Sequence, residues 1–205
     1  MPLKRQLTSL SSGAPGLVPV LETERLRLRG HRAEDFPACL ALWTDPEVTR
    51  FIGGRPSTQE EVWSRLLRYV GHWDLLGYGY WVIEDKETGA FLGETGFADF
   101  RRTIEPPIDG QPEIGWVLAP SAQGRGLATE AVQAVLKWGD AHFGPVPTVC
   151  LIAPENTPSL RVAEKCDYRP FVRATYREGI TLLMRRDPAK SETVQPAAEI
   201  GQRIP

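Results

Sequence analysis

The stretch VLAPSAQGRGLATEA, residues 117–131, leads from an apolar segment through Gln123, Gly124, Arg125 and Gly126 into a helical pattern. The first turn of a helix has N–H groups without helical partners, and the helix dipole is positive there, so such a start attracts anions. Three phosphate-binding readings compete for it. A P-loop needs lysine and Ser/Thr at the helix start, where this chain has Leu127 and Ala128. A dinucleotide fingerprint needs G-x-G-x-x-G, of which Gly124 and Gly126 supply half. The third reading fits: small residues at Gly126 and Ala128 let a pyrophosphate reach backbone amides between Gly124 and Thr129, Leu127 included. Gln123 and Arg125 add side-chain donors. The plain alternative is a strand-to-helix turn whose glycines serve only its dihedrals.

Outward from this turn the elements fall into order. PEIGWVLAP (112–120) is a strand ending at Pro120, and GLATEAVQAVLKWGDAHF places Ala128, Ala131, Val132, Val135 and Trp138 on one helical face. TVCLIA (148–153) is a continuous apolar run, the mark of a strand buried on both faces. Thr157 before Pro158 reads as an N-cap with proline at the first helical position. Two strands separated by the 127–143 helix imply a parallel neighbour pair. Nearer the N-terminus, Leu26 and Leu28 alternate with Arg25, Arg27 and Arg29, a half-buried strand with a solvated arginine face. A helix from about Arg32 breaks near Asp45-Pro46. A second helix begins at Ser57 or Thr58, turns Val62, Leu66, Leu67 and Val70 inward, and ends at Gly77. Strands meeting at Glu87-Thr88-Gly89 and a hairpin turning near Glu178-Gly179 complete an α/β or α+β pattern.

The bulk composition bounds the function. With 205 residues, 41% hydrophobic and 24% charged, the chain reads as one soluble domain over 21–187. An arm over 1–20 and an extension over 188–205 flank it. A net charge of -2 argues against a broad nucleic-acid surface, and no apolar run is long enough to cross a membrane. Three scattered cysteines, Cys39, Cys150 and Cys166, read as reduced, buried thiols of a cytoplasmic protein without metal-ligand spacing. His31, His72 and His142 read as surface or capping residues, and no metal site is expected. Trp43, Phe51, Trp73, Tyr80 and Trp81 read as core aromatics, with the wall of an acceptor pocket as the alternative.

QGRGLA matches the Q/R-x-x-G-x-G/A signature of the GNAT acyltransferases at Gln123, Gly126 and Ala128. ENTPSLRVAEKCDY, from Glu155, resembles that family's E-N-x-x-S-x-R-V-x-E-K-x-G-[FY] segment, and PEIGWVLAP resembles its fourth strand. TERLRLR points to the branch containing the ribosomal-protein N-terminal (alanine/serine) acetyltransferases. The resemblance spans Leu21 to Arg186. It implies a mixed central sheet of about six to seven strands flanked by about four helices. It also implies acetyl-CoA as cosubstrate, bound by its pyrophosphate on the 123–129 turn and by its pantetheine arm along Trp116, Val117 and Leu118, with Asn156 bonding the pantetheine amides. An amine acceptor would complete the reaction, in a monomer or homodimer. Two residues depart from the pattern. Asp167 replaces the usual glycine, a residue that tolerates the left-handed region. Ala163 stands where many relatives use a tyrosine to protonate the departing thiolate.

Transfer from a thioester to an amine needs a neutral amine, donors for the carbonyl oxygen and a proton for the thiolate. An α-amine titrates near 7.7–8.0 and lysine near 10.4, so lysine is harder to neutralise by about 3 kcal/mol. Glu113, an acid in an otherwise apolar strand where partial burial would raise its carboxyl, is the candidate base, with Glu94 in GETGF as the second. Backbone amides near Val117 are candidate carbonyl donors. Ser159 is the candidate hydrogen-bond donor to the thiolate, a capping hydroxyl being its simpler role. A non-catalytic acyl-CoA-binding module is the rival of a different class.

Overall fold

Alternating leucines at 26 and 28 bury one face of the expected strand, β2 (Leu26–Arg29). A two-residue strand, β1 (Leu21–Glu22), precedes it across a turn at residues 23–25, and the two pair antiparallel. The computed structural model describes residues 18–177 and 179–188. The expected arm and extension therefore lie, except for residues 18–20 and 188, outside the described residues.

The chain continues through α1 (Phe36–Thr44), a short α2 (Pro46–Thr49) and α3 (Gln59–Leu76) into β3 (Tyr80–Asp85) and β4 (Phe91–Ala98). Then come β5 (Glu113–Leu118), α4 (Leu127–Phe143), β6 (Thr148–Ile152), α5 (Thr157–Lys165), β7 (Arg169–Tyr176) and β8 (Gly179–Arg186). Among the described residues this is the mixed α/β architecture expected, with eight strands against about six to seven and five α-helices against about four. The extra strand is the two-residue β1, which precedes the expected first strand. The extra helix comes from Asp45, whose extended backbone ends α1 and whose carboxylate caps α2 through Glu47 and Val48 N–H groups. The strand matched to the family's fourth is therefore β5.

Sheet order is β1-β2-β3-β4-β5-β6-β8-β7, antiparallel throughout except for β5 and β6. Those two are parallel because α4 carries the chain back across the sheet. Helices α4 and α5 cover one face, over Trp81, Phe97, Ile114 and Leu118. Helices α1 and α3 cover part of the other, where Cys39, Leu42, Trp43, Val62 and Leu66 pack with Val117. Helix α3 starts on Thr58, whose hydroxyl accepts from Glu61 N–H while the Glu61 carboxylate takes the Thr58 N–H, and it stops at the left-handed Gly77. Its inward face differs from expectation: Val62, Leu66, Tyr69 and His72 are buried, whereas Leu67 and Val70 face solvent. The 103–111 loop inserts Ile104 and Ile108 against Val149, Ala174 and Leu183, covering the sheet face that α1 and α3 leave bare.

Candidate active site

Strands β5 and β6 register through one pair, Glu113 with Val149. Beyond it they part. β5 stays paired with β4 along all six residues to Leu118, and β6 with β8 along its whole length, so the gap lies inside the sheet. A gap between parallel strands opens at their C-terminal ends, where α/β sheets bind ligands. The edge of β5 that carries Trp116, Val117 and Leu118 faces that gap.

The chain leaving β5 forms a 3-10 turn, Pro120–Ala122, then an extended Gln123, whose side-chain amide donates to the Leu118 carbonyl at 3.0 Å. Gly124 and Gly126 both adopt positive φ, +73° and +79°. Gly126 is the N-cap of α4 and has no side chain to cap it; the first helical bond runs from Glu130 N–H to the Gly126 carbonyl. A left-handed residue followed by a right-handed one gathers successive N–H groups into a concave, anion-binding nest. The second helix start at this end of the sheet is closed. Asn156, not Thr157, caps α5, its Oδ1 accepting from Ser159 N–H at 3.3 Å, with Pro158 one position further in than expected. Of the two helix starts flanking the gap, the α4 start is the one without a side-chain cap. Asp167 takes the left-handed conformation, φ +66°, as its composition allowed, and the buried Ala163 leaves no phenol on α5.

Cross-strand pairing places Val82, Glu94 and Val117 on one face, with Tyr80, Gly96 and Gly115 beside them and Ala98 and Glu113 next. This is the face under α1 and α3. Glu94 is buried there: its Oε1 meets His31 Nε2 at 2.9 Å and the Cys39 thiol at 3.3 Å, and its Oε2 accepts from the Trp43 indole at 2.8 Å. Burial alone would raise its carboxyl, but His31, Trp43 and Cys39 outweigh burial and hold it below the ordinary glutamate value. His31, Cys39 and Glu94 bring metal-ligand atom types within 4.8 Å of one another, a geometry their hydrogen bonds to one oxygen already explain.

Glu113 is not a lone acid among apolar neighbours. Arg102, from the loop after β4, grips it in a fork of 2.6 and 2.7 Å and reaches the Tyr176 hydroxyl at 2.8 Å. Both acids expected as bases are thus already engaged. Tyr80 lies on the same face, its hydroxyl over Gly115, where any Cβ would collide with it. Its stacking partner Tyr69, ring centroids 4.3 Å apart, has a hydroxyl pushed up by burial to about 12.

Sequence reasoning missed these polar partners. Arg25 and Arg27 are exposed, as a solvated strand face requires, though each pairs with a carboxylate; Arg29 departs from it, mostly buried between Asp35 and Glu84. His31 and His72 are not surface residues; the His31 side chain is fully enclosed, and His72 bonds the Arg68 and Asp99 carbonyls. Trp43, Tyr80 and Trp81 are core aromatics as expected, and all three cysteines are buried and free. No helix among the described residues is long and apolar enough to cross a membrane.

Comparison with known proteins agrees with this architecture. The acetyltransferase (GNAT) domain model matches residues 25–169. The uncharacterized N-acetyltransferase p20 of Bacillus licheniformis is 30% identical over 150 residues, 73% of this chain and 82% of that protein. A GnaT-family acetyltransferase structure from Bordetella pertussis superposes with a TM-score of 0.73 at 36% identity, covering 82% of this chain and 99% of that one. The spermidine N-acetyltransferase of Vibrio cholerae, solved with CoA and spermine, shares the fold at 16% identity and a TM-score of 0.64, over 81% of this chain and 97% of its own. From its split parallel strands and uncapped glycine turn to its relatives, the chain belongs to the GNAT acetyltransferase family and is an N-acetyltransferase.

Proposed function

We propose that the enzyme transfers the acetyl group of acetyl-CoA directly to a primary amine, and that the preferred acceptor is an α-amino group of a peptide or protein. The observation that carries the cosubstrate is the uncapped, glycine-built start of α4 at the mouth of the β5–β6 gap. In this reading the 124–129 amides, with Gln123 and Arg125, hold the pyrophosphate. The open edge of β5 at Trp116, Val117 and Leu118 holds the pantetheine arm, the amides flanking Val117 that face the gap, those of Trp116 and Leu118, are the donors for the acyl oxygen, and Asn156 offers its side-chain NH2 alongside. Direct transfer is supported by the cysteines: burial pushes Cys39 and Cys150 well above the ordinary thiol value and Cys166 up to about 11, so no thiolate nucleophile is at hand.

The α-amine preference follows from the acids. Glu94 and Glu113 are both committed to other groups, which suits an acceptor that is partly neutral near pH 8 rather than one titrating near 10.4. Mass-spectrometric profiling tests this with acetyl-CoA and a pool of free N-terminal peptides, Nα-blocked lysine peptides and polyamines. Turnover confined to lysine peptides or polyamines sinks the preference; CoA binding without thiol release for any amine sinks the transfer reading.

Glu113 we assign to fixing the point where the strands part, and Ser159 to donating a hydrogen bond to the departing thiolate. Glu113→Gln is expected to keep kcat within about fivefold and the pH 6–9 profile unchanged, while Ser159→Ala lowers kcat on the order of tenfold with KM constant. A pH-rate profile flattened by Glu113→Gln would instead make Glu113 the base.

A further inference from the structure

The pyrophosphate turn is held from behind by a residue that lies 100 positions earlier in the chain. Arg25, in the turn between β1 and β2, donates from one guanidinium nitrogen to the Arg125 carbonyl at 3.0 Å. Its other two nitrogens meet Glu130 Oε2 at 2.7 and 2.6 Å. Glu130, in the first turn of α4, also accepts from the Arg25 backbone N–H at 3.0 Å and the Thr23 hydroxyl at 2.6 Å. An exposed arginine–glutamate pair alone contributes little. Here the glutamate side chain is only 18% exposed and collects donors from both sides of a turn. One planar guanidinium spans two separate acceptors, a geometry lysine lacks.

The Arg125 carbonyl and the Gly126 N–H are the two ends of one trans peptide and point in opposite directions. Gripping the carbonyl from the β1–β2 side therefore turns the Gly126 N–H toward the opposite side, where the nest opens. Gly126 is left-handed and glycine, so nothing in its own side chain limits rotation of that peptide. The restraint has to come from elsewhere, and Arg25 supplies it.

We propose that Arg25, braced by Glu130 and Thr23, is a positioning residue that presets the Gly126 amide for the CoA pyrophosphate. This rests on the pyrophosphate lying in the 124–129 turn. A preset donor acts on binding of the nucleotide end and leaves the chemical step alone.

The test compares two acetyl donors. Arg25→Ala is expected to raise the Kd for CoA, by calorimetry, and the KM for acetyl-CoA on the order of tenfold, with kcat within twofold. S-acetylpantetheine lacks the pyrophosphate, and its kcat/KM is expected to be the same in wild type and variant. Arg25→Lys keeps the charge but cannot hold Glu130 and the Arg125 carbonyl together, so it should recover less than half of the lost affinity. An equal loss with both donors would show general damage and overturn the proposal, as would full rescue by lysine or an unchanged Kd for CoA. A wild-type chain that binds no CoA overturns the pyrophosphate seat itself, an outcome distinct from a failure of Arg25 alone. Circular dichroism on Arg25→Ala and Arg25→Lys confirms that folded protein is compared in each case.

Discussion

Replacing Glu94 with alanine is expected to lower the melting temperature by about 10 °C. Its two oxygens hold a His31 ring nitrogen, the Cys39 thiol and the Trp43 indole N–H, all in the interior. Removing the carboxylate leaves three polar groups without their partner and a cavity between α1 and β4. Leaving a buried polar group without its partner costs about 1–3 kcal/mol, three of them several kcal/mol together, and each kcal/mol moves the midpoint of a chain this size by roughly 2–4 °C. The pH dependence has a definite sign. A carboxyl held below its unfolded value contributes stability that is complete above about pH 4.5 and is lost as pH falls through the folded value. The wild type should therefore lose more stability than Glu94→Ala between neutral pH and pH 3, narrowing the gap between them. Thermal melts at both pH values check this; a constant gap would mean that His31 and Trp43 do not hold the ionised form.

Gly126→Val is expected to weaken CoA binding by at least about 100-fold, or about 2.7 kcal/mol. A β-branched residue at φ +79° is strained by about 1–2 kcal/mol. The strain relaxes by rotating the peptide that carries the nest amide. The new side chain also grows toward the Arg25 guanidinium, which would lie 3.7 Å from its Cβ and nearer still to the valine methyls. Gly124→Ala is the control: it shares the positive φ but meets open space, so its effect should be several-fold smaller. Calorimetric titration of both variants with CoA decides the matter. An affinity within threefold of wild type for a folded Gly126→Val would place the pyrophosphate elsewhere.

What could be read in the sequence was local. Glycines at 124 and 126 announce positive φ and an open helix start within six residues, and a strand–helix–strand run announces the parallel pair. The fold followed from such signals, and the family from three short motifs in register. The charged partners did not follow, because several pairings join residues far apart in the chain: 105 positions separate Arg25 from Glu130 and 63 separate His31 from Glu94. Glu113 and Arg102 are only 11 apart, but an irregular loop lies between them and has no period to extrapolate. On α3, apolar spacing alone chose Leu67 and Val70 for the interior. Tyr69 and His72 took those places because the Tyr69 ring stacks on Tyr80 and the His72 ring bonds the Arg68 and Asp99 carbonyls, which a hydrophobicity pattern does not register.

The single registered pair between β5 and β6 has a mechanical meaning. Among the described residues, strands β1–β5 form one leaf and β6, β8 and β7 another, each bonded within itself and registered along the sheet at Glu113 and Val149. The α4 crossover, the Arg102 bridge to Tyr176 and the packing of Ile104 and Ile108 on Val149, Ala174 and Leu183 also tie the leaves. A donor lying in the seam would act as a rivet, supplying contacts to both leaves that the chain itself omits, and would then stabilise the folded sheet by its binding.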